Sequence, residues 1–202
     1  MSNLARKINR DVPPITVRDA IYSRRATRHF LAQAVPENRV KLLIDAAIHA
    51  PSSMNLQPWA FVVIQRTDLL KRISDEAKQI MLKSTTGVHL LEKGHIPLED
   101  PKFDIFYQAT TLVVIYARSE PGFSPEGDCF LAGENLMLAA YEMGLATCPI
   151  GFARDVLDKQ SWRDELSIPI NYDPVLPIIV GFPSSTMPST LRGAAKVFSW
   201  LR

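Results

Sequence analysis

One stretch of the chain leaves little choice of architecture. From 128 to 143 the residues run Asp-Cys-Phe-Leu-Ala-Gly-Glu-Asn-Leu-Met-Leu-Ala-Ala-Tyr-Glu-Met, a helix apolar on most of its circumference, with Gly144 as its stop. A helix without a broad polar face is buried on every side, at the centre of a core or in an interface between subunits. At 202 residues the chain has room for one well-buried domain around such a helix and not for two.

The other elements follow in order. Thr16-Val17-Arg18-Asp19 has the Thr-x-x-acid spacing of a helix start, and the short helix it opens delivers Arg24, Arg25 and Arg28 at or just past its end. A second helix opens at Pro36-Glu37, carries Val40, Leu43, Ile44, Ala47 and Ile48 on one face, and stops near Ala50 because Pro51 follows. Four apolar runs, 59–64, 111–117, about 145–150 and 174–182, read as strands, the first two as buried ones. Helical patterning covers about 68–84 and about 154–165. The expected organisation is a single domain over 1–202. It has an N-terminal arm at 1–15, a stretch of mixed composition at 85–108 that suits a lid, and a C-terminal tail at 184–202 carrying Arg192, Lys196 and Trp200.

Charge narrows the function. The net charge of +2 is too small for a dedicated nucleic-acid binder. Yet residues 1–30 hold seven Lys or Arg against two Asp, which fits a local anion site. Two cysteines, Cys129 and Cys148, make neither a disulfide framework nor a metal set, so a reducing, cytoplasmic setting is expected, with no signal peptide or membrane span. The four histidines lack metal-ligand spacing. With nine glycines and no Gly-x-Gly-x-x-Gly, a Rossmann nicotinamide site is absent.

Two segments carry the chemistry. Arg24-Arg25-Ala26-Thr27-Arg28 offers planar guanidinium forks suited to phosphate oxygens. Pro51-Ser52-Ser53-Met54-Asn55 offers hydroxyls and an amide on a proline-bracketed loop, suited to the edges of a heterocycle. Together they point to a ligand both anionic and polar-aromatic, a nucleotide or a flavin. Each has a plainer reading: arginines at a helix end favour its dipole, and Pro-Ser-Ser is a common turn. Cys148 reads as packing rather than as a nucleophile. Phe103, Phe106 and Tyr107 read as core, with substrate stacking as the other possibility.

In this order, and with Glu-Asn-Leu-Met-Leu-Ala-Ala at 134–140, Gly-Leu-Ala-Thr-Cys-Pro-Ile-Gly-Phe at 144–152 and Pro-Ile-Ile-Val-Gly-Phe-Pro at 177–183, the chain resembles the nitroreductase family of FMN-dependent oxidoreductases. The resemblance implies an α+β fold with a mixed, mostly antiparallel sheet flanked by helices, assembled as an intertwined homodimer with FMN at the subunit interface. It places Arg24 and Arg192 on the flavin phosphate, Arg25 beside the ribityl chain and phosphate, and Arg28 at the pyrimidine edge of the ring. Pro51, Ser52, Ser53 and Asn55 reach the flavin from the other subunit, and Pro149, Ile150 and Gly151 lie against the ring. No side chain is implied as a catalytic acid or base. NAD(P)H is implied as a transient hydride donor, with nitroaromatics or quinones as acceptors. Dehalogenation or flavin fragmentation on the same fold, and a non-enzymatic flavin-binding protein, are the rival readings. Ala26 stands where many relatives have Ser, so a cofactor hydrogen bond through that hydroxyl is not available here.

Overall fold

The computed structural model describes residues 15–84, 96–119, 122, 124–185 and 187–202. The expected arm therefore lies outside the described residues except for Ile15, as do residues 85–95 of the stretch suited to a lid. The elements are α1 (Val17–Ser23), α2 (Glu37–Ala47), β1 (Trp59–Ile64), α3 (Thr67–Lys83), β2 (Thr111–Arg118), α4 (Glu126–Glu142), β3 (Ala146–Pro149), α5 (Arg154–Leu157), α6 (Gln160–Glu165) and β4 (Tyr172–Gly181).

The strands form one sheet in the order β1-β2-β4-β3, and every neighbouring pair is antiparallel. The parallel part of the expected mixed sheet is confined to a single bridge, Ala26 to Thr147, on the outer side of β3. Alternation divides β2 between two cores. Leu112, Val114 and Tyr116 face the side covered by α3, α5 and α6, while Val113, Ile115 and Ala117 face the side covered by α2 and α4. Burial on both faces is why the strand reads as an unbroken apolar run.

α1 begins as its spacing predicts: the Thr16 hydroxyl accepts from Asp19 N–H at 3.1 Å, and the Asp19 carboxylate accepts from Thr16 N–H at 3.0 Å. α4 presses closely on the sheet. A Cβ on Gly133 would lie 2.3 Å from Leu176 Cδ2 of β4, so this approach depends on glycine. The helix ends at Gly144, whose φ of 70° suits glycine, with Leu145 N–H donating to the Ala140 carbonyl at 2.8 Å and Gly144 N–H to that of Tyr141 at 3.0 Å. α4 is not covered all round in the single chain: Phe130 and Leu131 are each 48% exposed.

Two expectations need correction. The helix expected to stop near Ala50 ends a little earlier, at Ala47, and continues as tight turns, with His49 and Ala50 N–H bonded to the carbonyls of Ala46 and Ala47. The helix expected over about 154–165 is broken into α5 and α6 at Asp158 and Lys159. The buried Arg163 guanidinium explains the break. It donates to the Asp158 carbonyl at 3.1 Å and carboxylate at 2.5 Å, to Asp173 at 2.9 Å and to the Tyr172 carbonyl at 2.6 Å. Satisfying a buried cation outweighs the helical bonds lost at two residues.

Candidate functional site

The chain leaves α1 and runs along the sheet edge. Thr27 N–H donates to the Thr147 carbonyl of β3 at 3.0 Å, and Leu31 N–H to Phe182, just past β4, at 2.9 Å. This pairing fixes the arginine segment against residues 144–147. Arg25 sends Nη1 back to the carbonyls of Tyr22 and Arg24 at 2.8 and 2.7 Å, so this end of it serves the plainer role of closing α1. Arg24 donates Nη2 to both oxygens of Glu134 on α4, at 3.0 and 3.1 Å.

The Nε atoms of Arg24 and Arg25 are buried without a hydrogen bond, and so is the hydroxyl of Thr147. All three residues line one cavity of about 690 Å³, closed by Tyr141 and Gly144 at the end of α4 and by Ser184, Ser185 and Ser189 beyond β4. Buried donors without acceptors are costly, and the three residues that carry them share one cavity.

A second cavity of about 580 Å³ begins where the first segment ends. Arg28 lines it together with Cys148, Pro149, Ile150 and Gly151, and Phe103, Tyr107 and Phe152 supply aromatic walls. The Arg28 guanidinium lies 5.9 Å from the Tyr107 ring centre and pairs with no carboxylate among the described residues. Phe103 meets Tyr107 edge to face at 5.7 Å. Tyr107 and Gln108 adopt φ values of 53° and 62°, uncommon for residues with a Cβ. The Asp104 carboxylate holds this turn by accepting from Phe106 and Gln108 N–H, both at 2.9 Å. From α3, Lys78 Nζ donates to the Phe103 carbonyl at 2.7 Å, and Ser74 accepts from Ile105 N–H at 3.1 Å. Of the three aromatics, only Phe106 is core. Burial raises the pKa of the Cys148 thiol, against the pull of Arg28, so the group stays protonated and packs.

The remaining expected residues lie elsewhere in the single chain. Ser53 N–H donates to the Asp128 carboxylate at 3.1 Å, which moors the 51–55 loop at the first turn of α4. Met54, Asn55 and Gln57 all have positive φ, held by Gln57 N–H to the Ser52 hydroxyl at 3.0 Å and by Gln57 Nε2 to the Asn55 side chain at 3.0 Å. Tyr141, at the other end of α4, borders the first cavity; thirteen residues of helix put about 20 Å between the two. Arg192 lies in the exposed tail, three residues past Ser189. Ala26 lines neither cavity, its methyl packing against the core. Thr147 is the residue sequence reasoning missed, since a threonine inside a strand looks like any other strand former.

With this geometry in place, the comparisons are direct. The model of the nitroreductase family matches residues 21–182, and the chain belongs to that family. A protein of Methanothermobacter thermautotrophicus, provisionally named NADH dehydrogenase/NAD(P)H nitroreductase, is 26% identical over 181 residues, covering 88% of this chain and 82% of its own. A nitroreductase from Bacteroides fragilis solved with bound FMN superposes with a TM-score of 0.77 at 25% identity, over 91% of this chain and 98% of the other. An oxidised iodotyrosine deiodinase bound to FMN and 3-iodo-L-tyrosine shares the fold, with a TM-score of 0.71 at 21% identity, over 92% of this chain and all of that one.

The residues present fit FMN. A dianionic phosphate matches the unpartnered guanidinium donors, the polyol chain matches the hydroxyl-lined wall, and the flat ring matches the aromatic cavity that starts at Arg28.

Proposed function

We propose that the protein is an FMN-dependent NAD(P)H oxidoreductase that works as a homodimer. The observation that carries this reading is the run 24–28, which places two buried, unpartnered arginine Nε atoms at one cavity and an acid-free arginine at the next. Bound there, FMN supplies hydride transfer between a nicotinamide and an acceptor. Arg24 and Arg25 hold the phosphate end. Arg28 sets a positive charge against the ring edge where electron density collects on reduction, which raises the reduction potential. Gly151 opens a 3₁₀ turn, whose first backbone N–H has no partner within the turn and would be available to donate to the ring. Phe103, Tyr107 and Phe152 wall the space open to a nicotinamide and then to an aromatic or quinone acceptor, and exclude water from it. Proton delivery requires no dedicated acid or base from the chain.

The dimer follows from α4. One chain keeps the 51–55 loop and the phosphate cavity about 20 Å apart, whereas a two-fold axis across antiparallel α4 helices brings the loop of each subunit to the cavity of the other. Exposed Phe130 and Leu131 on α4, and Leu42 and Ile48 at α2, supply an apolar face for that contact. Closing the tail on the assembled site brings Arg192 within reach, because three residues of extended chain span about 10 Å.

The test is the visible spectrum of the purified protein followed by anaerobic addition of NADPH or NADH. A yellow protein that bleaches supports the reading, and a protein that neither carries nor takes up FMN overturns it. Arg24→Ala is expected to give a folded protein largely free of flavin, and full flavin occupancy in that variant overturns the phosphate assignment. Dehalogenation remains the second reading, because an aromatic-walled cavity beside a cation suits a halophenol; assaying halide release separates the two.

A further inference from the structure

We infer that Thr147 is a ligand of the cofactor phosphate, a third donor beside Arg24 and Arg25. The inference rests on the FMN reading above and concerns a residue of the 144–152 motif to which the sequence assigned no role. Thr147 is 2% exposed, and its hydroxyl has no hydrogen-bond partner. A buried hydroxyl in a strand ordinarily finds a carbonyl, and one left without a partner is destabilising unless a ligand completes it. Thr147 lines the cavity that Arg24 and Arg25 also line, and their Nε atoms are likewise buried without a partner among the described residues.

Its backbone is already committed to the same segment, through Thr27 N–H to the Thr147 carbonyl and the bridge to Ala26. The hydroxyl is thus fixed in register with the arginines by the sheet itself. Glu134 pairs with the Nη2 end of Arg24, so of the two arginines lining the cavity Arg25 is the one with no carboxylate partner among the described residues. Two charged N–H donors and one neutral hydroxyl suit the oxygens of a phosphomonoester better than a carboxylate, which has one oxygen fewer. Ala26 is then no loss to this end of the site. It does not line the cavity, and the hydroxyl comes instead from the strand paired with it.

The experiment compares wild type, Thr147→Val and Thr147→Ser in the full-length protein, stripped of flavin. FMN and riboflavin affinities are measured by quenching of flavin fluorescence. Valine keeps the shape and suits a strand, so Thr147→Val is expected to fold. The expected result is FMN binding weakened roughly ten- to hundredfold in Thr147→Val, the worth of a hydrogen bond to a charged group, with riboflavin binding unchanged and Thr147→Ser restoring FMN affinity. Equal FMN affinity in wild type and Thr147→Val overturns the inference, because a packing residue predicts that result. An equal loss for riboflavin also overturns it, since the hydroxyl then meets the polyol. If wild type binds no flavin, the proposed function fails on its own, and inorganic phosphate decides this inference separately. A thermal shift with phosphate in wild type that Thr147→Val lacks upholds it, and no shift in wild type overturns it.

Discussion

Single residues here are governed by whether a buried polar atom finds a partner. Arg163 finds oxygens on Asp158, Pro169, Tyr172 and Asp173 and breaks a helix to reach them. The Arg24 and Arg25 Nε atoms and the hydroxyls of Thr147 and Tyr116 find none among the described residues. Of these four residues all but Tyr116, which sits in the core, line one cavity. Buried acids carry a consequence for pH. Burial first, then neighbouring Asp128 and Glu126, push the Cys129 thiol from 9.0 up to about 12, and burial, aided by Asp158 and opposed by Arg163, pushes the Tyr116 phenol from 10.0 up to about 12. Below about pH 9 both groups keep their protons folded or unfolded, and stability is unaffected. Above it the unfolded chain releases protons that the fold retains, so stability falls as pH rises toward 12. Urea midpoints followed from about pH 8 to about pH 10.5 are expected to decline, and less steeply in Cys129→Ala. Identical slopes in the two proteins would show that Cys129 is not responsible. At this scale the sequence was half legible. The arginines announced themselves by type and spacing, but Arg25 serves its own helix as well as the cavity, and Thr147 is told from a packing residue only by an empty hydrogen-bond position.

Elements were read best where local pattern and tertiary demand agree. The capping box of α1, the glycine stop of α4 and the apolar run of β2 are local signals that nothing in the fold opposes. By contrast β1, expected to be buried, is an edge strand half-buried in the single chain because β2 covers only one of its sides, with Val63 38% exposed. The interval between α5 and α6 was missed because its cause, the Asp173 carboxylate and the Tyr172 carbonyl, comes from another element. The aromatic wall stood in the sequence only as the alternative to a core role for a similar reason: Phe103 and Tyr107 depend on Lys78 and Ser74 of α3 and on a left-handed turn that composition does not signal. A prediction belongs to the seam between α4 and β4. Gly133→Ala pushes a methyl into Leu176, so the side chain must move or the helix must lift. The expected cost is about 1–3 kcal/mol of stability, read as a lowered urea midpoint with little change in its slope. An unchanged midpoint would mean that the leucine swings aside freely.

The whole molecule is asymmetric along α4, with the polar loop at one end and the cavity lined by Arg24 and Arg25 at the other. Placing a charge on the uncovered face between them tests the assembly. Phe130→Asp with Leu131→Asp is expected to give a monomer by sedimentation that retains its helical signal and has lost flavin. A monomer that still binds FMN tightly would show that one chain builds the site alone. The separation along α4 also carries a genetic consequence. If each site borrows its loop from the other copy, a chain defective at Arg24 and a chain defective in the 51–55 loop are not equivalent when paired. Their mixed dimer concentrates both defects in one site and leaves the other whole. Two alleles that are each inactive alone can then restore activity in the same cell, up to half the sites in every mixed pair.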